Sequence, residues 1–199
     1  MKAPSRLFAV AMVAVLFTGC MTVTTLENPK DDPGKYEKAA GFLEEEIRDR
    51  IYNMQYQADA ELYQNMKRLA YIGEPAIPFL LEGLDDSSPR TRGSVAFVLG
   101  LIRDRRTIPD LIEHLDDDVA PVRYEVATTV CVLGDNAGYP VLIEGLKDDD
   151  IRNRYKAHEA LLLLTQLDFG FEHDAGPDDR IKAVRKWEGW YESIVARGY

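Results

Sequence analysis

The chain of 199 residues has few of the residues on which catalytic and metal sites depend. It contains two cysteines, Cys20 and Cys131, and three histidines, and none of them has the spacing of a metal-binding motif. It has no Gly-x-Ser-x-Gly sequence and no phosphate-binding glycine-rich loop. We therefore expect no catalytic residue, no metal site and no cofactor, and we do not expect an enzyme.

The chain also has too few basic residues to balance its acids. It carries 34 Asp and Glu against 24 Lys and Arg, which gives a formal net charge of −10. Nucleic-acid binding depends on clustered Lys and Arg that contact phosphates, so we expect no nucleic-acid partner. The same acidity argues against electrostatic attachment to anionic lipid.

Long hydrophobic segments are missing as well. The apolar run of residues 7–18 has twelve residues, which is too short to cross a bilayer as a helix. It follows the basic residues Lys2 and Arg6 and ends just before Gly19. This arrangement is typical of an export signal. Residues 20–35 are then polar and contain proline and glycine, which predicts a flexible tether.

The end of the apolar run, Leu16-Phe17-Thr18-Gly19-Cys20, resembles the lipobox of bacterial lipoproteins, in which small residues precede an obligatory cysteine. The resemblance implies a signal peptide of residues 1–19 and lipid attachment to Cys20. Phe17 stands where that pattern usually has Leu. Met21 rather than Asp follows the cysteine, which by the same resemblance favours the periplasmic side of the outer membrane, if the cell has one. The alternative is an ordinary secretory signal with an incidental cysteine.

Three segments of similar sequence organise the rest of the chain. PFLLEGLDD, PDLIEHLDD and PVLIEGLKD begin at Pro78, Pro109 and Pro140, a period of 31 residues. A fixed period of this length indicates stacked repeats, because one unit is too small to bury its own apolar face. We expect three repeats over residues 73–166, each with a short helix opening at its proline and a longer second helix. The second helices are predicted at residues 89–102, 121–133 and 151–166.

The second helices resemble the short bacterial HEAT-like repeat, also called the phycobiliprotein-lyase type. The residues that carry the resemblance are Arg92 to Asp104 with Leu99-Gly100 at the centre, and Val122 to Ala127 followed by Val130, Leu133 and Gly134. The resemblance implies an all-α fold, a right-handed α-solenoid of stacked antiparallel helix pairs of the HEAT-like or armadillo type. It is specific for the fold but leaves the function open, since this fold hosts lyases, scaffolds and adaptors.

The flanking segments are predicted to close the two ends of the array. Residues 36–72 have apolar residues three and four apart, which predicts an N-terminal helical cap or a divergent repeat. Residues 167–199 are predicted to form a C-terminal capping helix, with Trp187 and Trp190 over the open end of the core. Six residues of the first segment are expected to pack in the core or cap, with a ligand patch as the alternative: Tyr36, Tyr52, Met54, Tyr56, Tyr63 and Tyr71.

An aspartate precedes an arginine by six positions in every repeat, which predicts a structural ladder along the array. The pairs are Asp86 and Arg92, Asp117 and Arg123, and Asp148 and Arg154. HEAT-type arrays commonly stack an aspartate of the turn against an arginine of the second helix. An acid also suits the N-terminal end of a helix. The alternative is a cation site formed by the acidic clusters around these aspartates, although no loop of the EF-hand type accompanies them.

A helical wheel places one column of second-helix residues opposite the buried side that Val95, Leu99 and Ile102 define. Exposed apolar side chains mark interaction surfaces, and Tyr is favoured in them. We therefore predict a protein-binding column on the concave face of the second helices; the alternative is that a terminal segment covers it. The predicted column contains Phe97, Tyr124, Thr128, Tyr155, Glu159 and Leu162.

These patterns lead us to expect an exported, lipid-anchored scaffold or adaptor that binds another protein in the cell envelope. The membrane contact is expected through the lipid on Cys20. Two other functions stay open from the residues: a lyase-like or small-ligand-binding HEAT-repeat protein, and a structural spacer without a specific partner.

Overall fold

The structure, a computed structural model, describes residues 35–198, and every regular element in this range is helical. The predicted signal peptide, the lipidation site Cys20 and all but the last residue of the predicted tether lie outside this range. Within it, no helix combines the length and the apolar character needed to cross a bilayer. The α-helices are α1 Gly41–Asn53, α2 Asp59–Ile72, α3 Ile77–Gly83, α4 Pro89–Ile102, α5 Ile108–Ile112, α6 Ala120–Val132, α7 Gly138–Gly145, α8 Ile151–Thr165 and α9 Pro177–Ala196.

The helices form two layers, as the predicted all-α solenoid requires. The second helices pack in series, α2 against α4, α4 against α6 and α6 against α8. The shorter first helices α3, α5 and α7 each pack against the second helix that follows them. The predicted fold class is therefore confirmed, because each helix pair buries its apolar side against the next pair.

Local sequence explains where the second helices begin and end. Pro89 and Pro121 lie in the first turns of α4 and α6, where the missing N–H has no intrahelical partner to lose. Before α8, the Asp150 side chain accepts a hydrogen bond from the backbone N–H of Arg152 at 2.9 Å. After α6, Gly134 has φ +88°, a left-handed conformation that glycine adopts without strain.

The Asp–Arg ladder holds the turns between the first and second helices. Arg92, Arg123 and Arg154 each donate a hydrogen bond to the backbone carbonyl of the aspartate six residues before, at 3.0, 2.7 and 2.8 Å. The aspartate carboxylates accept the backbone N–H two residues later, at 2.7 to 2.8 Å. The carboxylates are thus engaged in shaping the turns.

A buried ion pair of the ladder lies between repeats rather than within one. Arg92 donates from Nε to Oδ2 of Asp117 at 2.6 Å and from Nη2 to Oδ1 at 2.8 Å. The two side chains are only 12% and 5% exposed. Although burial opposes it, the Arg92 hydrogen bonds hold the pKa of Asp117 below its usual range. Removing one partner of a buried pair typically costs about 3–5 kcal/mol, so this contact fixes α4 relative to the next repeat.

Two apolar clusters form the core. The first extends from Tyr36 and Ile47 to Leu133, and the second extends from Tyr124 to Trp187. Trp187 is fully buried on α9 and meets the ring of Phe169 edge-on, with 4.7 Å between centroids. Helix α9 packs against α7 and closes the C-terminal side of the second cluster.

The N-terminal helices continue both layers, since α1 contacts α3 and α2 contacts α4. Tyr36 and Met54 are buried, as expected. The same expectation is wrong for the other four tyrosines, because the outer face of this terminal pair has no neighbouring helix among the described residues. The exposed rings are Tyr52, Tyr56, Tyr63 and Tyr71.

The contact between α6 and α7 yields a test of the packing. A Cβ added to Gly138 would lie 2.1 Å from the carbonyl oxygen of Ala127, so Gly138→Ala must push the two helices apart. We expect it to lower the free energy of unfolding by about 3 kcal/mol, measured by chemical denaturation. Gly93→Ala in α4 is the control, because a Cβ at this position meets nothing within 4 Å. Alanine favours a helix more than glycine does, so this variant should raise the free energy of unfolding by up to about 1 kcal/mol. Equal stability of the two variants would contradict this packing.

Candidate protein-binding groove

The exposed sides of α4, α6 and α8 form a groove of about 490 Å³. Five of the six residues predicted for the binding column line it, and Leu162 does not; its neighbour Leu163 does. The five are Phe97, Tyr124, Thr128, Tyr155 and Glu159. Within the described residues, neither α1 nor α9 contributes to the lining, so the groove is open rather than covered by a terminal helix.

The predicted residues differ in how far they face the groove. Tyr155 is 47% exposed and its ring meets His173 edge-on, at 5.2 Å between centroids. Glu159 is exposed, while Phe97 and Thr128 are half-buried. The Thr128 hydroxyl donates to the backbone carbonyl of Tyr124 at 2.6 Å, so its hydrogen is already engaged within α6.

The prediction that Tyr124 projects outward is wrong. Its side chain is buried and packs on Gly145 of α7, where an added Cβ would lie 2.7 Å from the ring atom Cε1. Its hydroxyl donates to Oδ2 of Asp148 in the next repeat at 2.8 Å. The wheel could not detect this, because α7 packs against the side of α6 that the wheel assigned to solvent. Tyr124 therefore packs between α6 and α7 at the base of the groove and does not project into the solvent.

Sequence reasoning missed an aliphatic row at the C-terminal ends of the second helices. Leu101, Val132 and Leu163 are 44%, 38% and 67% exposed, and all three line the groove. They are 31 residues apart and so occupy the same position in successive repeats. In the sequence these residues stand beside core positions, so the pattern of a single helix assigns them to the core as well. Applying the period to every position of the second helix, rather than to one column, would have found them.

The floor of the groove holds a carboxylate that the sequence did not single out. Glu125 on α6 is half-buried, with Lys156 of α8 in the same lining. Burial raises the pKa of Glu125 to about 7, and the positive charge of Lys156 acts in the opposite direction. Among the described residues, no group donates a hydrogen bond to this carboxylate. A desolvated acid of this kind in a cleft is a common mark of a binding site.

The groove continues toward the N-terminal helices as a smaller cavity of about 280 Å³. Phe97, Glu125 and Lys156 line both parts, and Met66 of α2 borders the smaller one. The candidate surface therefore follows the second helices from α2 to α8.

Between residues 35 and 198 no group of three or more His, Cys, Asp or Glu is arranged to hold a metal ion. Cys131 is buried, and its burial raises the pKa of the thiol to about 12, which makes it a poor nucleophile.

Comparison with known families agrees with this architecture. The family model described as HEAT repeats matches residues 69–162, which extend from the end of α2 through most of α8. The chain therefore contains HEAT-like repeats and is a helical repeat scaffold of a kind that commonly mediates protein–protein interaction. No curated protein matches the chain.

Glu125 gives the chain a predicted pH dependence of stability. Its pKa is about 7 in the folded protein and close to 4.5 when solvated, so the free energy of unfolding should fall as the pH rises between these values. We expect Glu125→Gln to stabilise the protein by at least about 1 kcal/mol at pH 8 and to have little effect at pH 4.5, since one pKa unit corresponds to about 1.4 kcal/mol.

The measurement is chemical denaturation at the two pH values. Glu159→Gln, in the exposed part of the same groove, is the matched control and should change stability by less than about 0.5 kcal/mol at either pH. A Glu125→Gln variant whose effect does not depend on pH would show that the carboxylate is well solvated.

Proposed function

We propose that this chain is a lipid-anchored adaptor of the bacterial cell envelope that binds another protein in the groove of α4, α6 and α8. The observation that carries the proposal is the open groove with exposed apolar side chains from three successive repeats. Exposed apolar side chains gathered on one surface mark interaction sites. The proposal includes no catalytic step.

The rigidity of the groove supports a role in recognition. Its side chains project from helices that inter-repeat contacts hold in place, the Arg92–Asp117 ion pair and the Tyr124–Asp148 hydrogen bond among them. A surface that is already ordered loses little conformational entropy on binding, so more of the contact energy appears as affinity.

The path of the chain near residue 35 is compatible with an anchor that leaves the groove free. The Lys35 ammonium donates to the backbone carbonyl of Arg106 at 2.9 Å, and the Arg106 guanidinium lies over the ring of buried Tyr36, 4.8 Å from its centroid. None of these residues lines the groove. A tether entering at Lys35 would therefore not need to cross the proposed binding surface.

Photo-crosslinking in cells tests the adaptor function. A photoreactive amino acid at position 155 is expected to capture one dominant envelope protein, identified by mass spectrometry, because Tyr155 is exposed in the groove. The same probe at position 181 is the control, since Ile181 is similarly exposed but lies on α9. If position 155 captures no protein beyond those captured from position 181, the groove is not an adaptor surface.

The anchor requires a separate test. Cys20→Ser is expected to move the protein from the membrane fraction to the soluble fraction and to abolish its metabolic labelling with a fatty acid, because several acyl chains are needed for lasting membrane attachment. Unchanged fractionation together with unchanged labelling would disprove lipid attachment at Cys20. Because the substitution lies outside the groove, binding of a captured partner should persist.

A further inference from the structure

The aliphatic row of Leu101, Val132 and Leu163 carries information about the shape of the partner. Each residue comes from the same position of successive second helices, α4, α6 and α8. The α2 residue at the matching distance from the helix end is Tyr71, because Gly73 and Arg103, which follow α2 and α4, each donate to the carbonyl four residues earlier. The row thus presents three large exposed aliphatic side chains, and the matching position of α2 carries the Tyr71 ring, which is 83% exposed.

The distance between successive residues of the row matches the distance between residues seven apart in an α-helix. Packed neighbouring helices lie about 8–10 Å apart, so the three residues mark steps of roughly this length. An α-helix rises about 1.5 Å per residue, so residues seven apart are separated by about 10.5 Å and lie on the same side after nearly two full turns. A helix lying across the second helices could therefore place one apolar residue against each member of the row.

An extended partner fits the row less well. Three residues of a β-strand also cover about 10 Å, but successive side chains of a strand point to opposite faces. Residues three apart would then alternate between the groove and the solvent, and the middle contact would be lost. The geometry consequently favours a helical partner.

The charged residues that line the groove indicate which charge a partner should carry beside its apolar residues. Glu125 and Glu159 line the same groove as the row, and the cations of that lining are Lys156 of α8 and Arg103 of α4. On the α4 side, Arg90 lines the adjoining cavity, but its Nη1 donates to the backbone carbonyl of Gln57. The Glu125 carboxylate therefore has no hydrogen-bond donor among the described residues, and the whole chain has a net charge of −10. A cationic partner residue would supply the missing donor and be attracted by the overall charge.

We propose that the partner segment is a basic amphipathic α-helix that lies across α4, α6 and α8, with an apolar residue at every seventh position against Leu101, Val132 and Leu163 and a Lys or Arg reaching Glu125. The inference rests on the proposed function, because it uses the same groove. It goes further in specifying the secondary structure, the spacing and the charge of the bound segment.

Two synthetic peptides of identical composition test the spacing. Each is a fluorescent 21-residue helical peptide with three leucines and several lysines; in one the leucines are seven apart, and in the other they are spread around the helix. Binding is measured by anisotropy with the purified full chain carrying Cys20→Ser, which keeps acyl chains out of the assay. We expect the seven-residue spacing to bind at least about tenfold more tightly, and equal affinities would overturn the inference.

Variants of the chain then locate the contact. Val132→Ser and Leu163→Ser should each weaken binding of the regularly spaced peptide several-fold, whereas Ile112→Ser, a similarly exposed aliphatic residue on α5, should not. The unsubstituted groove should bind the peptide more tightly at pH 8 than at pH 6, because the Glu125 carboxylate ionises in this range. Glu125→Gln should weaken binding of the peptide and remove this pH dependence. Binding that is insensitive to both serine variants would place the peptide elsewhere.

The cross-linked segment of a partner captured from position 155 separates the two proposals. A captured segment with apolar residues at every seventh position and flanking Lys or Arg supports both. A captured segment without this pattern overturns the helix inference and leaves the adaptor function standing. If no partner is captured from position 155, the adaptor function fails, and the helix inference, which rests on it, fails with it.

Discussion

The structure depends on the packing of each second helix against the next, from α2 to α8. No unit can bury its apolar side alone, so every exposed surface of the array is defined by what its neighbours cover. Polar contacts between repeats fix the register of this stack, among them the buried ion pair of Arg92 with Asp117 and the hydrogen bond of Tyr124 to Asp148. In both cases the aspartate also shapes its own turn by accepting a backbone N–H. The same carboxylate therefore orders a turn and joins two repeats.

The groove follows from that regularity. Because equivalent positions of successive repeats lie side by side, one sequence position becomes a row on the surface. Leu101, Val132 and Leu163 form an apolar row, and Glu125 and Lys156 share another position. Substituting one position in all repeats would change a whole strip of the surface, while substituting one residue changes a single step. A solenoid can in this way match the periodicity of a partner without any mobile loop.

Glu125 illustrates how a residue that lines a groove can oppose stability. Burial raises the pKa of its carboxyl to about 7, so keeping it ionised in the folded chain costs free energy that the rest of the core must supply. An apolar residue at this position would be more favourable for folding alone. The carboxylate becomes favourable once a cation pairs with it, and residues that cost stability in the free protein are typical of functional surfaces.

The repeat architecture was predictable from the sequence, because the 31-residue period and the proline at the start of each unit can be recognised without knowing how the units pack. Helix α4 has the predicted bounds, Pro89–Ile102, and the all-α solenoid was predictable from the stacking that such short units require. Which second-helix residues line the groove depends instead on how neighbouring helices pack. Tyr124 was predicted to be exposed and is buried, since a wheel for one helix does not record that α7 packs against it. The raised pKa of Glu125 and the exposure of Leu163 likewise arise from neighbouring helices, whose positions no single-helix pattern contains.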